Sequence, residues 1–308
     1  MPDGKPVTNV YYGTASWTDK TLIECQCFYP PCVDTPAARL RHYSERFPLV
    51  EVDSSYYSLP SERNAALWIE RTPMHFAFDV KAFGLLTHHS VGPRGLPAKV
   101  REQLPADKKR FYRKDLPKDA LALVEDMFVS ALRPLESAGR LGAILFQFPH
   151  WFVPSRQNRD YLKQLAESFP YRIAVEFRGG GWMKDEQSAE RTLALLRDLD
   201  LTYVVVDEPQ GFKTSVPPIV AATSPALAMI RFHGHNAENW EKPGISPAER
   251  FRYLYSEEEL EKWVEPAKEL AGRSERLHIL MNNCYEDYGV RNAGQIADLI
   301  AKSDAAGP

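Results

Sequence analysis

Eight times along the chain a short apolar run ends in residue types that can move protons or hold anions. GTASW reaches Thr14 and Ser16, VEVD carries Glu51 and Asp53, and FDVK carries Asp79 and Lys81. LFQ ends on Gln147, VEFR carries Glu176 and Arg178, VVVD ends on Asp207, RFH carries Arg231 and His233, and MNN brings Asn282. These types suit acid/base chemistry on a small polar or anionic substrate such as a sugar phosphate or nucleotide fragment. The guanidinium forks of Arg178 and Arg231 match the oxygens of a phosphate or carboxylate. Glu176 is expected as general base, with His233, or His88 of the run Thr87-His88-His89, as the acid; Asp207 joins this titratable set. Lys81 is expected as an electrostatic partner or a Schiff-base amine. Ser16, Glu51, Gln147 and Asn282 would complete the polar lining, with Trp17, Tyr57 and Trp182 among the aromatics that could stack a ring. On this view Glu176→Gln abolishes turnover and spares the fold.

Three other chemistries compete for the same residues. Glu51, Glu176, Asp207 and His233 could ligate a divalent cation in a hydrolase or isomerase, although Lys81, Arg178 and Arg231 would repel it. The ring could also be a self-neutralising network, Lys81 and Arg231 answering Glu51 and Glu176, because unpaired charges withdrawn from water cost several kcal/mol each. The third is a repair-associated or non-catalytic nucleic-acid binder, in which strand-end aromatics stack bases and the run Lys108, Lys109, Arg110, Arg113, Lys114 tracks phosphates. That run equally suits a solvated face. Cys25, Cys27, Cys32 and Cys284 are all the cysteines of the chain. Four thiolates are what a tetrahedral zinc or an iron–sulfur cluster requires, while the irregular C-x-C-x4-C spacing suits inert thiols.

The polar residues need elements to position them. Runs rich in β-formers recur at Val10–Thr14, Leu49–Asp53, His75–Lys81, Leu141–Gln147, Arg172–Phe177, Thr202–Asp207, Ala228–His233 and Leu277–Asn282, which predicts eight strands. Helical periods lie between most of them, as in Leu121, Val124, Phe128, Leu132 and Leu135. Thr35-Pro36 reads as a helix start, Ser256 and Glu259 have capping-box spacing, and a last helix is expected near 290–302. Eight strand–helix alternations predict one closed parallel (β/α)8 TIM barrel over 1–308. The outsized connection after the third strand, 83–117, is expected to pass over the mouth, and the sixth helix to be reduced. Strand alternation puts Val50, Val52, Phe78, Val80, Phe146, Val175 and Phe232 against the helices and the polar set inside. Active sites of such barrels lie at the C-terminal strand ends.

Composition narrows the class. With 308 residues, 44% hydrophobic and 26% charged, the chain can bury a large core. A net charge of −3 gives no overall attraction to a phosphate backbone. No apolar run approaches the roughly 20 residues that span a bilayer, and MPDGKPVTNV is not a signal peptide, so a cytoplasmic protein without membrane partners is expected.

The segments GTASW (Gly13–Trp17), VEVDSSYYSLP (Val50–Pro60), FDVKAF with THH (Phe78–His89), FQFPHWF (Phe146–Phe152), VEFR (Val175–Arg178), VVVDEPQG (Val204–Gly211), RFHGHN (Arg231–Asn236) and NNCYEDYGVRNA (Asn282–Ala293) together resemble the DUF72 family, also called YecE-like proteins. The resemblance spans nearly the whole chain and implies a TIM barrel of bacterial or archaeal origin; the family brings no established activity. Matched position by position, it marks Ser16, Trp17, Glu51, Tyr57, Lys81, Thr87, His88, Gln147, Glu176, Arg178, Asp207, Arg231, His233, Gly234 and Asn283. Where the family often reads EFRH, this chain has Gly179 after Arg178, which removes one imidazole from the expected site.

Overall fold

The computed structural model describes residues 9–305. Eight strands, β1 (Val10–Ala15), β2 (Leu49–Val52), β3 (Ala77–Lys81), β4 (Leu141–Gln147), β5 (Ile173–Glu176), β6 (Thr202–Asp207), β7 (Ala228–Phe232) and β8 (Leu277–Met281), pair in parallel in chain order and close through β1 and β8. The outer helices bury the stripes that their periods predict. In the helix Lys118–Ser137 these are Val124, Phe128, Ala131, Leu132 and Leu135. Thr35 caps the helix Pro36–Ser44 with Pro36 in its first turn, and Ser256 with Glu259 closes a capping box on the turn Glu257–Glu261. The C-terminal helix Tyr288–Ala305 packs on β1 and β8. Among the described residues no helix lies between β6 and β7. That connection contains Pro209, Pro217, Pro218 and Pro225, each lacking the N–H that a helix interior needs.

Residues 83–117 fold into one short helix, Ala98–Arg101, two 3-10 turns and an antiparallel bridge between Val91 and Phe111. The excursion packs beside the mouth. Gly84 N–H donates to the Tyr56 carbonyl at 3.0 Å. A Cβ on Gly95 would stand 2.5 Å from the Tyr57 carbonyl oxygen, so only glycine allows this approach.

Neighbours in a parallel register share a face, so the pairings fix what points inward. Glu51 registers with Ala15 and Asp79, Lys81 with Leu145, Gln147 with Glu176, and Arg231 with Val206 and Leu280. Two strands depart from the sequence expectation. In β1 the inward residue is Ala15, so Thr14 faces outward, its hydroxyl 2.9 Å from that of Tyr43. In β6 the inward residue is Val206, and Asp207 registers with Phe232 on the outer face.

Deep in the barrel the buried Asp79 carboxylate lies 2.9 Å from Nδ1 of the buried His278. Gly142 makes room for the pair: a Cβ there would stand 2.4 Å from Asp79 Oδ1 and 2.7 Å from His278 Cε1. Gly142→Ala is therefore expected to destabilise the fold by about 1–3 kcal/mol, the usual range for overpacking. Urea denaturation checks this; an unchanged midpoint would show that the pair has slack.

Candidate functional site

The inward side chains form two layers. In the lower one, fully buried Arg231 forks onto Glu51, with Nε and Nη2 each donating at 2.9 Å. Its Nη1 donates to Glu176, and Nη2 also reaches Asn282 Oδ1 at 3.4 Å. Glu176 collects further partners: Gln147 Nε2 donates at 2.7 Å and His233 Nε2 at 3.1 Å, and Arg178 Nε lies in ion-pair contact at 2.8 Å. Burial alone would push Glu176 upward, but Arg231, Arg178 and His233 together hold it well below the usual carboxylate range.

The His233 tautomer follows from its neighbours. Arg178 Nη2, 3.3 Å from His233 Nδ1, can only donate, so Nδ1 accepts and the ring proton sits on Nε2, directed at Glu176. Burial, reinforced by the adjacent Arg178 charge, pushes His233 down to about 3. Arg178 also donates to Glu208 at 3.0 Å, and the other Glu208 oxygen accepts the Val216 N–H at 2.7 Å. Three buried carboxylates, Glu51, Glu176 and Glu208, thus share two guanidiniums. The imbalance appears in the acids with fewer donors: burial pushes Glu208 up to about 8 and Glu51 up to about 7, against the pull of Arg178 and Arg231 respectively.

The upper layer faces solvent through a cavity of about 690 Å³ lined by Ser16, Asp53, Tyr57, Lys81, Gln147, Arg178 and Asn282, among others. No residue of 83–117 lines it. Lys81 Nζ donates to Asp53 at 2.8 Å and lies 5.1 Å from the Tyr56 ring centroid. Burial would raise the Asp53 carboxyl, but Lys81 holds it below its ordinary range. Ser16 reaches the rim because its backbone turns left-handed, φ 79°, as β1 ends. Arg178 spends one N–H on each of Glu208 and His233 and pairs by charge with Glu176, which leaves further N–H groups on Nη1 and Nη2 beside the cavity.

The sequence-predicted set divides accordingly. Ser16, Tyr57, Lys81, Gln147, Arg178 and Asn282 meet at the cavity; Glu51, Glu176, Arg231 and His233 form the sealed layer beneath it. The rest lie elsewhere. Asp207, turned outward, accepts from Tyr255 at 2.6 Å and pairs with His235 at 2.9 Å. Trp182 is stacked on Phe177 and donates to the Phe152 carbonyl at 2.5 Å. Trp17 is buried edge-on to Trp68. Asn283 donates to the Tyr253 carbonyl and to Asn292, bracing the loop after β8. His88 packs among Phe152 and Tyr161, with ring centroids 5.2 and 4.6 Å away, and not at the mouth. Glu208 was missed, being adjacent to Asp207 but of opposite parity.

Among the described residues no three His, Cys, Asp or Glu side chains are grouped to hold a metal ion. For Glu51, Glu176, Asp207 and His233 the reason is plain: Arg231 stands between the two glutamates, and Asp207 points away. The cysteines do not converge either. Cys27 Sγ donates to the Cys25 carbonyl at 3.2 Å, Cys27 and Cys32 are exposed, and Cys284 lines the mouth cavity with Asp19. Much of the basic run is internally satisfied, Lys108 on Asp115 at 2.9 Å, Arg110 on Ser90 at 2.7 Å and Arg113 on Glu125 at 2.8 Å. No helix among the described residues is long and apolar enough to cross a membrane.

Comparison with known proteins agrees with this architecture. The family model "Protein of unknown function DUF72" matches residues 11–307. The UPF0759 protein YunF of Bacillus subtilis (strain 168) is 31% identical over 295 residues, 94% of each chain. A crystal structure of a DUF72 family protein from Thermotoga maritima superposes with a TM-score of 0.74 at 33% identity, covering 95% of this chain and 99% of that one. One from Enterococcus faecalis gives a TM-score of 0.76 at 23% identity, covering 95% of both. With the family model spanning nearly the whole barrel, the chain belongs to the DUF72 family.

Proposed function

We propose that the protein is an enzyme that binds a small polar anion, of the class of sugar phosphates, in the mouth cavity and moves a proton on it. The observation that carries this reading is the layering: Lys81 and Arg178 face the cavity with unspent N–H donors, while the carboxylates that orient Arg178 are sealed behind it. Lys81 and Arg178 bind the anion, with Gln147, Asn282 and Ser16 as neutral partners. Asp53, ionised and in contact with Lys81, is the base, and the Lys81 ammonium is its partner acid. Glu176 and His233 have positioning roles: three donors and the Arg178 charge already occupy the carboxylate, and the imidazole is neutral with its proton committed.

A panel of sugar phosphates, screened by thermal shift and turnover, tests this. Lys81→Ala is expected to weaken the best-binding compound about tenfold or more, in line with a lost charge-assisted hydrogen bond. Asp53→Asn is expected to keep binding and lose turnover. Absence of any binder, or variants indistinguishable from the parent, would overturn the proposal.

A further inference from the structure

Beside the mouth lies a second cavity, of about 1010 Å³, between the 112–114 turn and the helix Arg156–Ser168. Its chemistry differs from that of the mouth. Two large rings are presented to solvent, Trp151 at 51% and Tyr112 at 41% exposure, and exposed aromatic faces are what flat rings stack on. Three cations line it, Arg113, Lys114 and Arg156, against one lining acid, Asp160. Arg113 is fixed in place by Glu125 and by the Tyr161 ring 4.9 Å away. Lys114 has no ion-pair partner among the described residues.

The wall also holds an unsatisfied polar atom. His88 lines this cavity, and its Nε2 is buried without a hydrogen-bond partner. Its backbone is left-handed at φ 63°, an uncommon conformation for a residue with a Cβ. Burial and the neighbouring Arg113 charge push the ring down to about 4, so it is neutral. A neutral ring nitrogen left unpaired behind a cavity wall is one hydrogen bond short, an uncommon state for a buried polar group.

We infer that this side cleft is a binding site for an anion carrying a flat ring, a nucleoside monophosphate, whose ring stacks on Trp151 and Tyr112 and whose phosphate meets Lys114, Arg113 and Arg156. The inference does not depend on the mouth reading, since the two cavities share no lining residue. The rings do adjoin: Trp151 contacts His89 at 5.7 Å and His89 contacts Tyr56, at the mouth, at 5.3 Å.

Calorimetric titration of the full chain with adenosine 5′-monophosphate and uridine 5′-monophosphate is the test, with adenosine and inorganic phosphate as the separated halves. At least one monophosphate is expected to bind at one site per chain, and each half about tenfold or more weaker. Trp151→Ala and Lys114→Ala, both on the surface, are each expected to weaken binding about tenfold with an unchanged thermal melt, whereas Lys81→Ala leaves it intact. Failure of both monophosphates to bind at millimolar concentration overturns the inference. So does binding lost in Lys81→Ala and kept in Trp151→Ala, which would put the ligand in the mouth. A single-stranded oligonucleotide that binds far more tightly than either monophosphate, with a steep salt dependence, would overturn it in favour of nucleic acid.

Discussion

Glu176→Gln should lower the stability of the fold by about 3–5 kcal/mol, the cost of removing one partner from a buried ion-pair network. The substitution is nearly isosteric, so no cavity forms and the loss is electrostatic. A carboxylate accepts three hydrogen bonds here, from Gln147, Arg231 and His233, and pairs with the Arg178 charge. An amide offers one accepting oxygen and turns an NH2 group toward donors that were aimed at a lone pair. Arg231 then keeps only Glu51 as a full counter-charge in a region with no access to water. This replaces the expectation, natural from sequence, that the substitution spares the fold and removes only turnover. Denaturant unfolding at neutral pH reads the difference directly. An unfolding free energy within about 0.5 kcal/mol of the parent, the usual scatter for inconsequential surface changes, would mean that Glu176 is dispensable to the barrel and would return it to candidacy as a base.

The barrel was legible because its two signals reinforce each other. β-rich runs alternate with helical stripes, and the observed strands fall within two residues of the expected ends, with β4 and β6 matching at both. Six of the eight inner faces were legible as well: in β2, β3, β5 and β7 a polar residue alternates with apolar ones, and β4 and β8 lead into Gln147 and Asn282. β6 was not legible for a physical reason. A parallel strand is buried on both sides, and Val204, Val205 and Val206 look alike whichever way they face. Only the register with β7, where Val206 meets Arg231, shows that Glu208 belongs to the site and Asp207 to the outside. In β1 the inward positions Gly13 and Ala15 are small and silent, so the polar Thr14 attracted attention that its outward hydrogen bond to Tyr43 does not support.

Partner choice was beyond the sequence for a different reason. The self-neutralising reading has Lys81 and Arg231 answering Glu51 and Glu176. In the structure Arg231 answers both, 180 and 55 residues away along the chain, and Lys81 answers Asp53 instead. Such pairings are set by depth within the barrel. A long guanidinium from β7 reaches across the interior to β2 and β5, whereas Lys81, on the last residue of β3, sits one layer higher among the rim groups. The separation into a sealed layer and an open one is what distinguishes positioning residues from binding residues, and residue type does not report it.

The excess carboxylate has its own consequence: stability should fall as pH rises through neutrality, by about 5 kcal/mol from Glu208 alone. Glu208 is raised from 4.5 to about 8 by burial, despite the adjacent Arg178 and the Val216 N–H. A raised folded-state value means that the folded chain holds a proton which the unfolded chain has released. The favourable contribution is therefore complete below pH 4.5 and is lost as pH climbs through about 8. At about 1.4 kcal/mol for each pH unit, that interval sets the size of the effect. Glu176 acts with the opposite sign: its folded value is depressed, so its contribution is present above the ordinary 4.5 and lost as the medium is acidified below it. Together they place the stability maximum on the acid side of neutrality, with a decline in both directions. Glu208→Gln cannot release a proton and should reduce the alkaline decline to the smaller part that Glu51, raised to about 7, contributes, while leaving the acid limb in place. Unfolding free energies measured by urea titration across the interval from 4.5 to about 8 and beyond decide it. A parent profile flat above neutrality would show that no carboxylate of the cluster retains a proton. A decline that is undiminished in Glu208→Gln and disappears in Glu51→Gln would assign the proton to the carboxylate opposite Arg231 alone.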